Sequence, residues 1–457
     1  MTGTQSDDSA KPKAKTETEQ NAVLATEEAA PVQNDEATQN TTDNKADTYS
    51  GDAATTKAPK KTRKKEPLIQ ISKRAELGLY KKFILYALAV FAALAVGGIF
   101  IAANGANPFE YYIEVITGCF KSPLRIKGFL RLIMPLIITS IGISFAFKMR
   151  FWNIGANGQF IMGALAATTV SLAIGDSLPQ WITLIIMAAA GCIGGALFGL
   201  IPALLKVKFG TNETLLTLML NYIALYLIMY FKNVYFYRTV NAQGEVLFPE
   251  YKALPKSGWM YELKIGAVTF DVSLIIAIVI VVLAFIYYRY TKQGYEIAVV
   301  GDSKNTARYA GMSVSKIMIR TMLISAALVG LAGMFQVASV ATSHTLSDGI
   351  SHDVGWTGII VAWLSKLNPF GILITSCLMG VLEQGCNSAE SVFPTVSPTA
   401  SDILEGIILF TVLAADFFIR YSIRFPGIAR KVLKNNNDDI NTEQNQITEK
   451  AESEVRL

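Results

Sequence analysis

The sequence predicts an all-α, polytopic membrane protein with about ten transmembrane helices and both termini in the cytoplasm. Three observations predict it. Charged residues are only 17% of the 457, while apolar residues make up 51%; soluble domains carry ~25% charge. The polar residues collect at the two ends: residues 1–66 hold a single aromatic, Tyr49, and residues 435–457 hold none. Between them the chain is a succession of apolar stretches, each about the length that crosses a bilayer. This pattern argues against a soluble enzyme and a nucleic-acid binder, although the formal charge is +5. Four cysteines, Cys119, Cys192, Cys377 and Cys386, make no disulfide framework.

Residues 1–57 mix Asp, Glu, Thr, Ala, Asn and Lys without hydrophobic periodicity, so they bury too little apolar surface to offset the entropy of ordering. The first apolar run begins only near Phe83, and no signal peptide is expected. The run Lys60-Lys61-Thr62-Arg63-Lys64-Lys65, followed by Lys73-Arg74 and Lys81-Lys82, reads as a juxtamembrane anchor for anionic headgroups. The predicted organisation is a disordered polar tail with a basic cluster at 1–74, a transmembrane domain at 75–425 and a polar cytoplasmic tail at 426–457.

A helix needs ~20 apolar residues to cross the ~30 Å hydrocarbon core. The candidate spans are 83–103, 132–147, 158–175, 181–205, 214–231, 272–288, 318–341, 355–365, 367–382 and 403–418. The eighth is too short for a full crossing and reads as a partial or re-entrant span. Lys148, Arg150, Lys206, Lys208, Arg289, Lys292, Lys304, Arg308 and Lys316 then fall on the amino-terminal side, which the positive-inside bias makes cytoplasmic. The basic group Lys121, Arg125, Lys127 and Arg131 is the exception, together with scattered cations in a long loop at 232–271. Gly191, Gly195 and Gly199 recur four residues apart, and Gly330 and Gly333 lie close together, as expected of helices that pack on one another in lipid. Pro135 and Pro202 lie inside spans, where each frees a backbone carbonyl that must find another partner.

Three stretches carry chemistry. In 151–159, FWNIGANGQ, Asn153 or Asn157 can accept hydrogen bonds from the free amides that open the third span, while Gly155 and Gly158 permit a tight turn. From the residues alone a capped helix start is the favoured reading, and a pore-lining break is its rival. Between the sixth and seventh spans, Asp302 and Ser303 can cap a short helix running to about Ala310 that Gly311 ends in a left-handed conformation. Such a helix fits an interfacial element or a lever for a motor protein. In the fifth span Tyr222, Tyr226 and Tyr230 share a helix face beside Asn221, suited to stacking on a flat ligand or, more simply, to packing.

Intramembrane polar groups are few; Glu383, Glu405 and Asp416 fall near the ends of their predicted spans. His344, Asp348, His352 and Asp353 form a polar loop that could hold a metal, but a polar extracellular loop explains them as well, and no metal site is expected. The chain contains no GxxxxGK[ST] loop, no nucleophile elbow, no HExxH and no paired-cysteine motif. No catalytic residue is expected.

Taken together these segments resemble a known family. Asn153-Ile154-Gly155-Ala156-Asn157-Gly158-Gln159 resembles the NIGxEGQ signature of bacterial ABC-importer permeases of the ribose and branched-chain amino acid type. Asn212-Glu213 with Thr217-Leu218-Met219-Leu220-Asn221-Tyr222-Ile223-Ala224 is similar to a stretch of the nucleoside-importing branch. Gly294-Tyr295-Glu296, Val300-Gly301 and Ala307-Arg308-Tyr309-Ala310-Gly311 resemble its coupling-loop sequence, and the likeness continues through Leu331-Ala332-Gly333 to Asn368-Pro369-Phe370-Gly371. The resemblance covers roughly 80–425.

It implies a type II-like importer permease: a multi-pass subunit of the bacterial cell membrane that translocates nucleosides by alternating access. Ribose or another small sugar, or self-sufficient ion-coupled transport, are the alternatives. The implied partners are a second homologous permease, a cytoplasmic ABC ATPase, an extracellular substrate-binding lipoprotein and the lipid bilayer, with no nucleic acid. The implied chain binds no cofactor and is not an enzyme, since ATP is used by the ATPase subunit. The implied coupling residues are Gly301, Asp302, Asn305, Ala307, Arg308, Tyr309, Ala310 and Gly311, and the expected substrate pathway includes Asn153, Asn157, Asn221, Tyr222 and Tyr226. One departure stands out: Asn157 occupies the position of the signature's Glu, which removes an acid but keeps a group able to cap a helix.

Overall fold

The computed structural model describes residues 70–73, 78–234, 243, 253–339, 344–397 and 399–424. The expectations for residues 1–69 and 426–457, including the 60–65 lysine run, lie outside them. The helices are α1 (Leu79–Ala103), α2 (Pro108–Gly118), α3 (Pro123–Lys148), α4 (Ala156–Ile174), α5 (Gln180–Phe209), α6 (Glu213–Val234), α7 (Val272–Tyr290), α8 (Lys292–Asp302), α9 (Lys304–Tyr309), α10 (Val314–Ala338), α11 (Val354–Leu364), α12 (Pro369–Ala389) and α13 (Ala400–Arg420). Two small antiparallel pairs accompany them: β1 (Gln70–Lys73) with β4 (Tyr421–Arg424), and β2 (Glu262–Ile265) with β3 (Val268–Asp271).

Among the described residues, 8 helices are long and apolar enough to cross a membrane: α1, α3, α4, α5, α6, α7, α10 and α12. The other two predicted spans are also helical. α11 has 11 residues, about 16 Å at ~1.5 Å per residue, or half the hydrocarbon thickness. α13 has 21 residues but carries Asp402, Glu405, Asp416 and Arg420. The seventh span ends at Ala338 rather than 341, and α12 runs on to Ala389, so Glu383 lies within its helix rather than at its end.

Three helices share one way of starting. A polar residue precedes a proline at the first helical position, and its side chain takes a free amide: Asn107 Oδ1 from Phe109 N at 3.1 Å, Ser122 Oγ from Arg125 N at 3.3 Å and Asn368 Oδ1 from Phe370 N at 3.1 Å. The proline's fixed φ suits the first turn, where its missing N–H would be unpaired anyway.

The centre is a three-helix interlock of α4, α5 and α10, flanked by α3, which is buried along most of its length. A Cβ built on Gly163 would lie 2.3 Å from Gly330 Cα, one on Gly330 2.3 Å from Gly191 O, and one on Gly195 2.3 Å from Ala326 O. Lipid tails are as apolar as leucine, so helix association rests on close backbone approach, which these glycines allow.

The two ends of the membrane domain meet: Gln70 pairs with Arg424 and Lys73 with Tyr421. The strands that flank the first and last membrane helices therefore lie on the same side. On the opposite side, the basic group that broke the charge bias is neutralised. Lys121 and Arg125 pair with Glu114, Lys127 and Arg131 reach Glu262 at 3.0 and 3.2 Å, and Arg131 also faces Asp271 at 4.0 Å. Burial alone would raise the Glu262 carboxyl, but Lys127 and Arg131 hold it below its ordinary value.

Gly330→Leu is expected to cost more than the ~1–3 kcal/mol of ordinary overpacking, because the clash is with backbone. Gly406 has nothing within 4 Å of its added Cβ, so Gly406→Ala should melt no lower than the wild type, alanine being the better helix former. Thermal melting of both variants in mild detergent checks the pair.

Candidate functional site

The membrane domain is interrupted between α3 and α4. Arg150, at φ 57°, turns the chain out of α3, and Phe151 N returns to Ala146 O at 3.0 Å. Asn153 is fully buried. Its carboxamide and that of Gln159 exchange hydrogen bonds of 3.1 and 3.0 Å, and Asn153 Oδ1 also accepts Gly155 N at 3.1 Å. α6 completes the set. Thr217 Oγ1 accepts Ile154 N at 3.2 Å, Asn221 Nδ2 donates to Ile154 O at 2.9 Å, and Asn221 Oδ1 accepts Gly158 N at 2.8 Å. Asn221 thus supplies partners that the start of α4 lacks. The tyrosines of the same helix point elsewhere: Tyr222, Tyr226 and Tyr230 are 55%, 67% and 57% exposed on the chain's outer surface.

Asn157 faces a second interruption. Its Nδ2 donates to Asp353 Oδ1 at 3.1 Å, and its Oδ1 accepts Gly355 N, in the first turn of α11, at 2.7 Å. His352 and Asp353 take positive φ values of 39° and 53° to launch that helix. α10 ends at the other end of the bundle, and α11 covers only the half towards the α3–α4 turn. There Trp363 stacks on Trp152 at 5.3 Å. Lys366 and Leu367, at φ 53° and 59°, then turn the chain into α12. Sequence reasoning had placed Asp353 in a polar loop with two histidines; its partner is Asn157, which only the fold brings near. Among the described residues no group of three or more His, Cys, Asp and Glu side chains could hold a metal ion.

The segment after α7 forms two helices where the sequence suggested one. Thr291 Oγ1 accepts Gly294 N at 3.0 Å to start α8 directly, and a Cβ on Gly294 would sit 2.2 Å from Tyr287 O. Gly294 and Gly301 are points of close packing: a Cβ on Gly301 would meet Lys148 O, the last turn of α3, at 2.1 Å. Glu296 on α8 binds Arg320 on α10 at 2.8 Å. Ser303 then caps α9 by accepting Thr306 N at 3.2 Å, and Gly311, at φ 74°, ends it. Gly301 and Ala307 are buried and anchor this bracket, whereas Asp302, Asn305, Arg308, Tyr309, Ala310 and Gly311 are exposed. Tyr309, at 91% exposed, stands almost clear of the chain.

At the opposite end, residues 253–271 of the long loop fold over α4, α5 and α10. Met260 N donates to Ala338 O at 2.9 Å, Gln180 Nε2 to Trp259 O at 2.8 Å, and Ser257 Oγ to Gly175 O at 2.5 Å. The Trp259 indole lies flat on the His344 ring, with centroids 4.0 Å and planes 7° apart. Burial pushes His344 below its ordinary value, against the opposing pull of the Ala338 carbonyl, Asp271 and Glu262.

Two predictions follow from this geometry. Asn221→Leu leaves Ile154 O and Gly158 N without their partner and should cost ~1–3 kcal/mol, while Tyr226→Phe should leave the melting temperature unchanged. A depressed histidine value means the folded cap prefers the neutral ring. Its contribution to stability is complete above about 6.5, the ordinary value, and is lost as the pH falls through the lowered value in the folded protein. Hydrogen exchange at Leu254 and Met260, corrected for its intrinsic rate, should quicken between about pH 7.5 and pH 5.5, and His344→Phe should abolish that dependence.

Comparison with known proteins agrees with this architecture. Residues 125–413 match the family described as branched-chain amino acid transport system / permease component. The chain is 28% identical over 342 residues to the nucleoside ABC transporter permease protein NupB of Lactococcus lactis subsp. cremoris (strain MG1363), covering 74% of this chain and 92% of that protein. It is 28% identical to the guanosine ABC transporter permease protein NupP of Bacillus subtilis (strain 168), covering 73% and 93%. It is also 28% identical to the glucose ABC transporter permease protein TsgB13 of Haloferax volcanii, covering 79% and 94%. With the match spanning most of the membrane domain, the chain belongs to the branched-chain amino acid transport system permease family, and it is a multi-pass protein of the cell membrane.

Proposed function

We propose that this chain is the membrane-spanning subunit of an ATP-driven importer that carries nucleosides by alternating access. The observation that carries the reading is the α8–α9 bracket. Its exposed face offers Arg308 and Tyr309, while its buried Gly301 rests on Lys148, the residue after which α3 gives way to the break. A force on α9 therefore passes through α8 to the Lys148–Phe151 turn, and from there to Asn153 and Asn157. The Glu296–Arg320 pair carries the same force to α10. In this reading the bracket lies in the cytoplasm and docks on an ABC ATPase, where ATP is bound and hydrolysed; this chain supplies the mechanical path and no covalent step.

The cargo is inferred from relatives named for nucleosides and guanosine. The pathway lies between this chain and a second, homologous permease. Tyr222 and Tyr226, exposed on α6, supply flat surfaces for a base along that seam, and Asn153, Asn157 and Asn221 set the neighbouring break, which rearranges as the seam opens. A substrate-binding lipoprotein delivers the nucleoside to the opposite face, over the 253–271 cap.

Uptake of radiolabelled uridine, adenosine, guanosine and glucose, with and without the gene and before and after ATP depletion that preserves ion gradients, tests the reading. Gene-dependent uptake of a nucleoside should vanish on depletion. Arg308→Glu should lower it at least about tenfold at normal membrane abundance, as like-charge juxtaposition at a docking surface demands. Gene-dependent uptake that survives ATP depletion would establish an ion-coupled carrier instead, and preferential uptake of glucose would reassign the cargo.

A further inference from the structure

A well-formed cavity lies on the far side of α11 from the α3–α4 turn, apart from the bracket. It is a cleft of about 820 Å³ between α1 and α13 on one wall and α11, α12 and α2 on the other, within the ~300–1,000 Å³ range of ligand sites. Its walls are apolar, with Ala93, Leu378, Met379, Leu409 and Leu413 among them, and among the described residues of its lining the one charged side chain is Lys366. α1 and α13 pack on each other, and α13 reaches α12 and α11 only lightly. The cleft is thus a seam that side chains leave unfilled, opening sideways where Val90, Leu378 and Leu413 are exposed.

We propose that this cleft binds an anionic glycerophospholipid, its acyl chains between the α1–α13 pair and α12 and its phosphate at Lys366. Three observations select that occupant. The first is length: the cleft follows α1 from Tyr86 to Leu94 and α13 from Leu413 to Leu404, ~12–14 Å at ~1.5 Å per residue, which is close to half of the ~30 Å hydrocarbon core. It is one leaflet deep, and α2 closes it at Tyr112 and Ile116, where a crossing helix of another subunit would have to continue. The second is charge. The strained turn at Lys366 (φ 53°) places its Nζ at the Tyr86 end of the cleft, 4.5 Å from the centre of the Tyr86 ring, and Lys81 is exposed in the first turn of the same helix as Tyr86. The third is the level of the aromatics: Trp363 and Tyr86 line the same end as Lys366, as amphipathic rings do at the headgroup boundary.

Lipid retained by the full-length protein, purified from membranes in mild detergent and reconstituted with equal phosphatidylglycerol and phosphatidylcholine, is measured by native mass spectrometry. The wild type should keep phosphatidylglycerol in preference to phosphatidylcholine. Lys366→Gln should weaken that retention about fivefold, the effect of one basic residue at a headgroup, and Lys366→Arg should preserve it. Leu409→Trp, which fills the cleft and leaves Lys366 in place, should remove both lipids together. Equal retention of the two lipids by the wild type, retention unchanged in Leu409→Trp, or a second polypeptide held in place of lipid would each overturn the proposal.

Discussion

Inside a bilayer a helix that stops must hand its unpaired amides and carbonyls to some other part of the protein, because no water is there to take them. The structure meets that demand with four carboxamides. Asn153 and Gln159 pair with each other, Asn221 reaches from α6 to Ile154 and Gly158 where α4 begins, and Asn157 binds the first turn of α11. A neutral carboxamide presents donor and acceptor together, so it can close a break from both sides without placing a charge in the membrane. Asn157, where the family signature has Glu, meets Asp353 as a donor and Gly355 as an acceptor; an ionised carboxylate could serve only the second. The acid of this pair is Asp353, the residue that precedes α11.

The carboxamides hold two interruptions, and the glycine interlock of α4, α5 and α10 holds the rest. The contrast has mechanical meaning. Helices meet backbone to backbone at Gly163, Gly191, Gly195 and Gly330, whereas the turns are closed by side-chain amides alone. α8 touches both kinds of contact, resting on the last turn of α3 through Gly301 and on α10 through the Glu296–Arg320 pair.

Much of this was legible in the sequence. Spans are visible because a lipid-spanning helix must be apolar over a fixed length, and Gly191, Gly195 and Gly330 declared the packing helices. α2 is not legible as a span since its 11 residues are too few to cross, and only its Asn107-Pro108 start marks it in the sequence. α12 was cut short because Gln384-Gly385-Cys386-Asn387-Ser388 resembles an exit into water, although Gly385 and Cys386 are buried. The site was legible only in its residue types. Asn221 was grouped with the tyrosines by helical spacing, yet its partner is a turn some 65 residues earlier. Asn157 and Asp353 stand 196 residues apart, a pairing that no local pattern encodes.

The small β1–β4 clasp has a consequence for biogenesis. Its strands are separated by every membrane segment of the domain, and they can zip together only if the number of crossings between them is even. A segment that fails to insert, with α11 and its short reach the obvious weak point, would strand the two halves of the clasp on opposite faces of the membrane. Four residue pairs therefore act as a parity check on topology, made at the last step of assembly, when α13 comes to rest on α1.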